Sequence, residues 1–313
     1  MSANATATTA VVGAQEREQR HRLRLKVGYT VAICVVLAVA VYGWNYYLLD
    51  FTDRPFSVKH QLLKPSGAVG VKLGIVGFLM FLVIFLYPLR KRSAWLFSKG
   101  TSRHWLDFHV LLGLSAPFIV ALHASFKFNG FAGMAFWIML AVSLSGVIGR
   151  YLYAQIPRRL NSAEVSRRDL QDAQMELARQ LQEQKLLPKS DLASLMRLPS
   201  PDRVAKLPML VALGYMMLLD LARPFRVARV RRHALSWLEC VFTFGGFTRT
   251  RHRELEEAIR VAREEASLSK RILFLTRSQQ VFNLWHVVHR PFSYSFAVLV
   301  LIHVVVVSMM GFF

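Results

Sequence analysis

Hydrophobic positions in this chain fall into long unbroken runs and not into the alternation of strands or the one-sided stripe of surface helices. Five runs, at 27–49, 69–89, 105–126, 131–153 and 292–313, are nearly continuous in Val, Leu, Ile, Phe, Ala and Met. About 20 such residues in a helix cross a hydrocarbon core of roughly 30 Å, so each run predicts a membrane span. The first begins too late and runs too long for a cleaved secretion signal and reads as a retained helix.

Polar positions cluster between the runs. About 135 residues separate the fourth and fifth runs, too many for a hairpin loop, and predict a helical layer outside the membrane. Within it, 161–187 reads as a mixed-charge amphipathic helix ended by Pro188, and 251–277 as a second charged helix. The apolar stretch 208–221 is too short for a span, contains Asp220, and would carry Arg223, Arg226, Arg229, Arg231 and Arg232 across the membrane; it predicts a segment that lies in the interface or packs under the bundle. The first ten residues, rich in Ala and Thr, are expected to be disordered. The fold class expected is thus an all-α integral membrane protein. It comprises a 1–26 cytoplasmic tail, a four-helix part at 27–155, an insert at 156–288 and a last helix at 289–313.

Charge orients this bundle. The chain carries 40 Lys and Arg against 19 Asp and Glu, a net charge of +21. The basic residues crowd the N-terminal flank (Arg17, Arg20, Arg22, Arg24, Lys26), the second loop (Arg90, Lys91, Arg92, Lys99, Arg103) and the exit of the fourth span (Arg150, Arg158, Arg159). By the positive-inside rule the N-terminus is cytoplasmic and the C-terminus outside, periplasmic if the membrane is a bacterial inner (plasma) membrane. The insert carries 23 Lys and Arg against 14 Asp and Glu, net +9, which points to anionic membrane lipid or an acidic partner and not to nucleic acid. Composition removes other classes. A share of 54% apolar residues excludes disorder, and two distant cysteines, Cys34 and Cys240, exclude a disulfide framework, thiolate metal sites and CxxCH haem attachment.

Four of the ten histidines, His109, His123, His289 and His303, lie in or beside predicted spans, where an ionisable group is costly. Both pairs are 14 residues apart. That spacing returns to within about 40° of the starting direction and rises roughly 21 Å, so each helix presents two histidines on one face, one toward each membrane surface. The third and fifth runs point the same way, which sets His109 level with His289 and His123 level with His303. Two facing imidazole pairs are what two six-coordinate b-type haems require. Gly113, Ala116 and Val120 on one helix leave room for a flat macrocycle; Ser293, Phe296 and Val300 on the other place Phe296 between the two levels. The same small residues are also the ordinary recipe for close helix packing. His286 is the competing choice for His289, but sits about 100° from His303 around the helix; it is otherwise a partner for a propionate or a lipid headgroup. Arg103, Arg150, Arg290 and Lys127 are candidates for propionate pairing and equally for interfacial anchors.

The segments DFHVLLGLSAPFIVALHASF and WHVVHRPFSYSFAVLVLIHVVV resemble the haem-binding core of the ferric reductase-like transmembrane proteins, a group that includes NADPH oxidases and metalloreductases. The resemblance covers the third to fifth runs and implies that His109, His123, His289 and His303 are axial ligands of two haem b groups. The long insert departs from the family. Within this sequence no GxGxxG opens a βαβ unit and no P-loop occurs, so electrons are expected to enter or leave through a redox partner subunit, an electron carrier or a quinone. The function expected is transmembrane electron transfer. The rival readings are a quinone-reactive cytochrome b anchor of a larger respiratory or extracellular electron-transfer complex, and a haem-free membrane scaffold or transporter.

Overall fold

The computed structural model describes residues 2–92, 102–155 and 188–311, with 172, 175, 176 and 179 between them. The regular structure of the described residues is helical, with no strand among them. Their helices are α1 (Ser2–Tyr42), α2 (Trp44–Tyr47), α3 (His60–Leu63), α4 (Ala68–Arg92), α5 (Ser102–His123), α6 (Gly130–Gln155), α7 (Lys189–Leu195), α8 (Pro201–Lys206), α9 (Met209–Ala234), α10 (Trp237–Phe242) and α11 (Arg253–Met309). Five of these segments are long and apolar enough to cross a membrane: Gln15–Tyr42, His60–Arg90, Arg103–His123, Gly130–Gln155 and Arg253–Met309. The stretch at 208–221, expected to be interfacial, leads into and forms the first part of α9, which is not among them. The amphipathic helix expected at 161–187 lies outside the described residues, apart from the four positions named above.

Three boundaries differ from the sequence reading. Helix α1 runs back to Ser2, through the Ala/Thr-rich stretch expected to be disordered; it holds no proline, and alanine is the best helix former. The third span stops at His123 and not at Phe126, because the chain turns there in a left-handed cap. Ser125 (φ 50) and Phe126 (φ 60) return N–H groups to the carbonyls of Leu122 and Ala121, the paired bonds of a Schellman motif. The charged helix expected at 251–277 and the last span are one continuous helix of 57 residues. No glycine interrupts the chain between them, and Pro291 is carried inside the helix, its cost of about 3 kcal/mol borne by the many bonds on either side.

The chain divides into two units. One comprises Met1–Arg150 with Val287–Phe313, the other Tyr151–His286. In the first, α5 is the central helix: 44% of its apolar window is buried, against 0–22% in the other spans. Its Ile119 and Leu122 pack with Leu73 of α4 and, from α1, Val36, Val39 and Ala40. Its Ala116 and Ala121 pack with Phe136 and Met139 of α6, joined by Phe296 of α11. The outward side chains, among them Val31, Leu37, Leu79, Phe118, Leu144, Val298 and Leu301, are exposed and apolar, as lipid-facing positions are. The second unit has its own core, formed by Leu195 of α7, Val227 and Val230 of α9, and Leu255, Ile259, Val261 and Ala262 of α11.

Candidate functional site

The four histidines of the sequence pattern all lie in the first unit. His123 and His303 are brought ring to ring, their centroids 6.5 Å apart with planes at 73°. His109 and His289 are each anchored to a different helix, α4 and α6.

The anchors come from a register that the sequence reading missed. His109 Nδ1 lies 3.1 Å from the Ile84 carbonyl and His123 Nδ1 lies 2.8 Å from the Gly70 carbonyl. Ile84 and Gly70 are themselves 14 residues apart on α4, so the histidine spacing of α5 is matched, in antiparallel sense, by two acceptors on its neighbour. Each acceptor is reachable for a local reason. In a helix the Ile84 carbonyl looks to the N–H of residue 88, but residue 88 is Pro and has none, so the carbonyl takes its hydrogen bond from His109. At the other level the obstacle is steric. A Cβ on Gly74 would stand 2.7 Å from His123 Cε1 and 2.9 Å from Nδ1, so only glycine lets the ring close on this part of α4. The same economy operates inside α5. Pro117 has no N–H for the Gly113 carbonyl, and Ser143 of α6 donates to it instead, at 2.7 Å.

These bonds assign protons. A carbonyl only accepts, so in neutral imidazoles His109 and His123 carry the hydrogen on Nδ1 and the lone pair on Nε2. His289 follows by one further step: Ser145 Oγ donates to the Val142 carbonyl at 2.8 Å and therefore accepts from His289 Nδ1 at 2.7 Å. Such second bonds orient a ligating imidazole and raise its basicity. His286, in the other unit, has its Nδ1 3.0 Å from the Phe282 carbonyl of its own helix, and its ring packs edge-on against Phe282 and Trp285.

His123 is also braced from its own C-terminus. Arg54, only 3% exposed, donates to the carbonyls of Leu49 (3.1 Å), Tyr47 (2.8 Å) and Ser125, pinning the cap that directly follows the histidine. Between the two histidine levels lies an aromatic series on α4, with Phe78, Phe81 and Phe85 in successive ring contact and Phe81 edge-on to Phe296 at 5.7 Å.

At the other end of α5 a buried carboxylate accompanies His109. Asp107, 9% exposed, is held by Arg150 at 2.6 Å and by His21 of α1 at 3.1 Å. His21 stacks on His104, which approaches Glu18 at 3.4 Å; Arg103 reaches Glu18 at 3.7 Å. Arg103 and Arg150, candidates for propionates, thus engage carboxylates of this protein. Arg290 is exposed, and Lys127 lies over the Phe51 ring at 5.8 Å. Asp107 stands in the DFH triplet two residues before a histidine already singled out, which was its only signal in the sequence.

Among the described residues no three His, Cys, Asp or Glu side chains converge on a bare metal ion. A haem iron needs only two imidazoles, and the donor set fits one. Two metal–nitrogen bonds of about 2 Å and two half-rings of about 1 Å span roughly 6 Å between ring centres, beside the 6.5 Å found for His123 and His303. A Cβ placed on Gly113 or Gly146 would meet no atom within 4 Å, so open space adjoins α5 one turn from His109 and α6 beside Ser145.

No protein-family model matches the chain, and no curated protein or solved structure matches it. Fold and composition define a class: among the described residues, an all-helical architecture with five helices long and apolar enough to span a membrane.

Proposed function

We propose that this protein is a b-type membrane cytochrome similar to the ferric reductase-like proteins. In this reading it carries electrons across a membrane through two bis-histidine haems, one on His109 and His289, the other on His123 and His303. The observation that carries the proposal is the pairing of His123 with His303 at a metal-bridging distance, with Nδ1 of His123 committed to a backbone carbonyl. Bound there, each haem supplies a one-electron ferric/ferrous couple. The protein's own residues supply the rest: α4 fixes the rotation of two imidazoles, Ser145 fixes a third, Arg54 holds the cap beside His123, and Phe81 with Phe296 fills the interval between the levels. Two protein ligands per iron leave no open coordination position, so the terminal reaction belongs at a haem edge or on a partner. The N-terminus is cytoplasmic in this reading and the C-terminus is on the opposite side.

The purified protein should show a b-type α band on reduction and a pyridine haemochrome content of two per chain. Replacing His123 or His303 by Leu should remove one haem and leave the other, whereas His286→Leu should keep both. A chain isolated without haem, and unable to take it up, would favour the scaffold or transporter reading instead.

A further inference from the structure

Helix α9 is apolar on two opposite sides. At about 100° per residue, Ala212, Met216, Leu219, Val227 and Val230 share one side, and all are buried. Leu210, Val211, Met217, Leu218, Leu221 and Phe225 fall within an arc of about 120° on the other side. These six are uncovered: Leu221 is 68% exposed and Phe225 60%. Further along that arc the face turns cationic, with Arg229 and Arg232 both exposed.

Helix α10 and its following turn extend the patch. Trp237 is 77% exposed, Phe242 82% and Phe244 79%. The turn is fastened to α9. Gly246, at φ +84, lies so close that a Cβ would stand 2.6 Å from the Ala228 carbonyl, and Arg231 donates to the Gly246 and Phe247 carbonyls at 3.0 and 3.3 Å. Phe247 meets Phe225 edge-on at 5.6 Å, which joins the two apolar areas into one.

We propose that this α9–α10 face is inserted into the interface of an anionic lipid bilayer, with Leu221, Phe225, Trp237 and Phe242 among the acyl chains and Arg229 and Arg232 at the phosphates. Charge complementarity selects this occupant. The nearby acids are engaged within the protein: Asp220 by Lys270, Tyr151 and Arg223, Glu239 by His252 and Ser236, and Glu256 by Arg231. Among the described residues Arg229 and Arg232, which border the apolar arc, form no ion pair, and they present positive charge at its edge. A phenylalanine- and tryptophan-rich face edged by arginine is the composition of interfacial helices, and a protein groove would not require the cationic border. Continuity points the same way, because both ends of this unit lead directly into membrane-spanning segments. The inference is independent of haem binding.

The test uses the full-length protein with Cys34→Ala and Cys240→Ala and a single nitroxide-labelled cysteine, at Leu221→Cys or Phe242→Cys. It is reconstituted into phosphatidylcholine vesicles with or without 30% phosphatidylglycerol, a composition of about that order being enough to give a negative surface potential. In the anionic vesicles the label should relax with oxygen and resist a water-soluble nickel chelate. Nickel access should rise several-fold in neutral vesicles and in the Arg229→Gln, Arg232→Gln double variant. Strong nickel access in anionic vesicles would overturn the proposal, and so would shielding from both reagents, which would mean that protein covers the face. If the cysteine variants fail to assemble, quenching by brominated acyl chains reads the same contact. The unmodified protein should lose a quenchable component on Trp237→Phe; equal quenching in the two overturns the proposal. Haem content should be the same in every variant, which separates this outcome from that of the electron-transfer reading.

Discussion

The sharpest constraint at the scale of single residues falls on Gly74. Its missing Cβ is where the His123 ring sits, and neither the α4 backbone nor an imidazole tied to Gly70 can yield the 2.7 Å contact. In the proposed haem reading, Gly74→Val should therefore cost the haem on His123 and His303 and leave the other in place. Haemochrome stoichiometry should fall from two to one, and a redox titration should go from two waves to one. A variant that kept both would show that the ring is not held against α4. Sequence made the histidines legible because spacing is a one-dimensional property that a helix converts directly into a shared face. Gly74, Pro88 and Ser145 were not legible. Each acts on a histidine 49, 21 or 144 residues away, and nothing local distinguishes such a glycine, proline or serine from those that merely pack.

At the scale of elements, the spans were readable and their junctions were not. Long apolar runs leave a helix no alternative in lipid, where every backbone group must be satisfied internally. Ends depend on caps and tertiary partners, hence the early stop at His123 and the fusion of a charged helix with the last span. In the second unit the apolar junction of α9 and α11 is joined by an electrostatic one. Lys270, 1% exposed, donates to Asp220, which also accepts from Tyr151 at 2.7 Å and pairs with Arg223 at 3.3 Å. Burial pushes the Asp220 carboxyl up, but the bonds from Lys270 and Tyr151 outweigh it and hold the group below its ordinary value. A carboxylate depressed by folding stabilises at pH above its unfolded value, near 4, and that stabilisation is lost as pH falls through the lower folded value. Asp220→Asn strands a buried ammonium and should destabilise this unit by about 3 kcal/mol or more. Limited proteolysis within 188–286 should accelerate accordingly at neutral pH, and much of the difference should disappear as pH falls through the lowered folded-state value of Asp220. Asp220→Asn with Lys270→Met should recover most of the loss.

For the molecule as a whole, the five candidate spans among the described residues are an odd number, so in the proposed reading the segments before the first and after the last emerge on opposite sides. The proposed orientation, argued from charge bias, has the arginine-rich N-terminal flank inside. A phosphatase reporter joined after the last span should be active and one joined before the first inactive, with the reverse for a fluorescent reporter that matures only in the cytoplasm. The same parity keeps α5 and α11 parallel, without which residues 123 and 303 could not share a level. The ring contact between His123 and His303 agrees with that arrangement.

Pro88 has a consequence for anyone who tries to stabilise this protein. An engineer would remove a proline from the interior of an apolar helix on principle, and Pro88→Ala should indeed raise the melting temperature of α4. The restored N–H would then share the Ile84 carbonyl with His109; its two lone pairs admit both donors, as the Gly70 carbonyl does with His123, so the imidazole's bond is weakened and not lost. In the proposed haem reading, thermal stability should rise in that variant while affinity for the haem at His109 falls modestly, so that selection for robustness alone would erode the site.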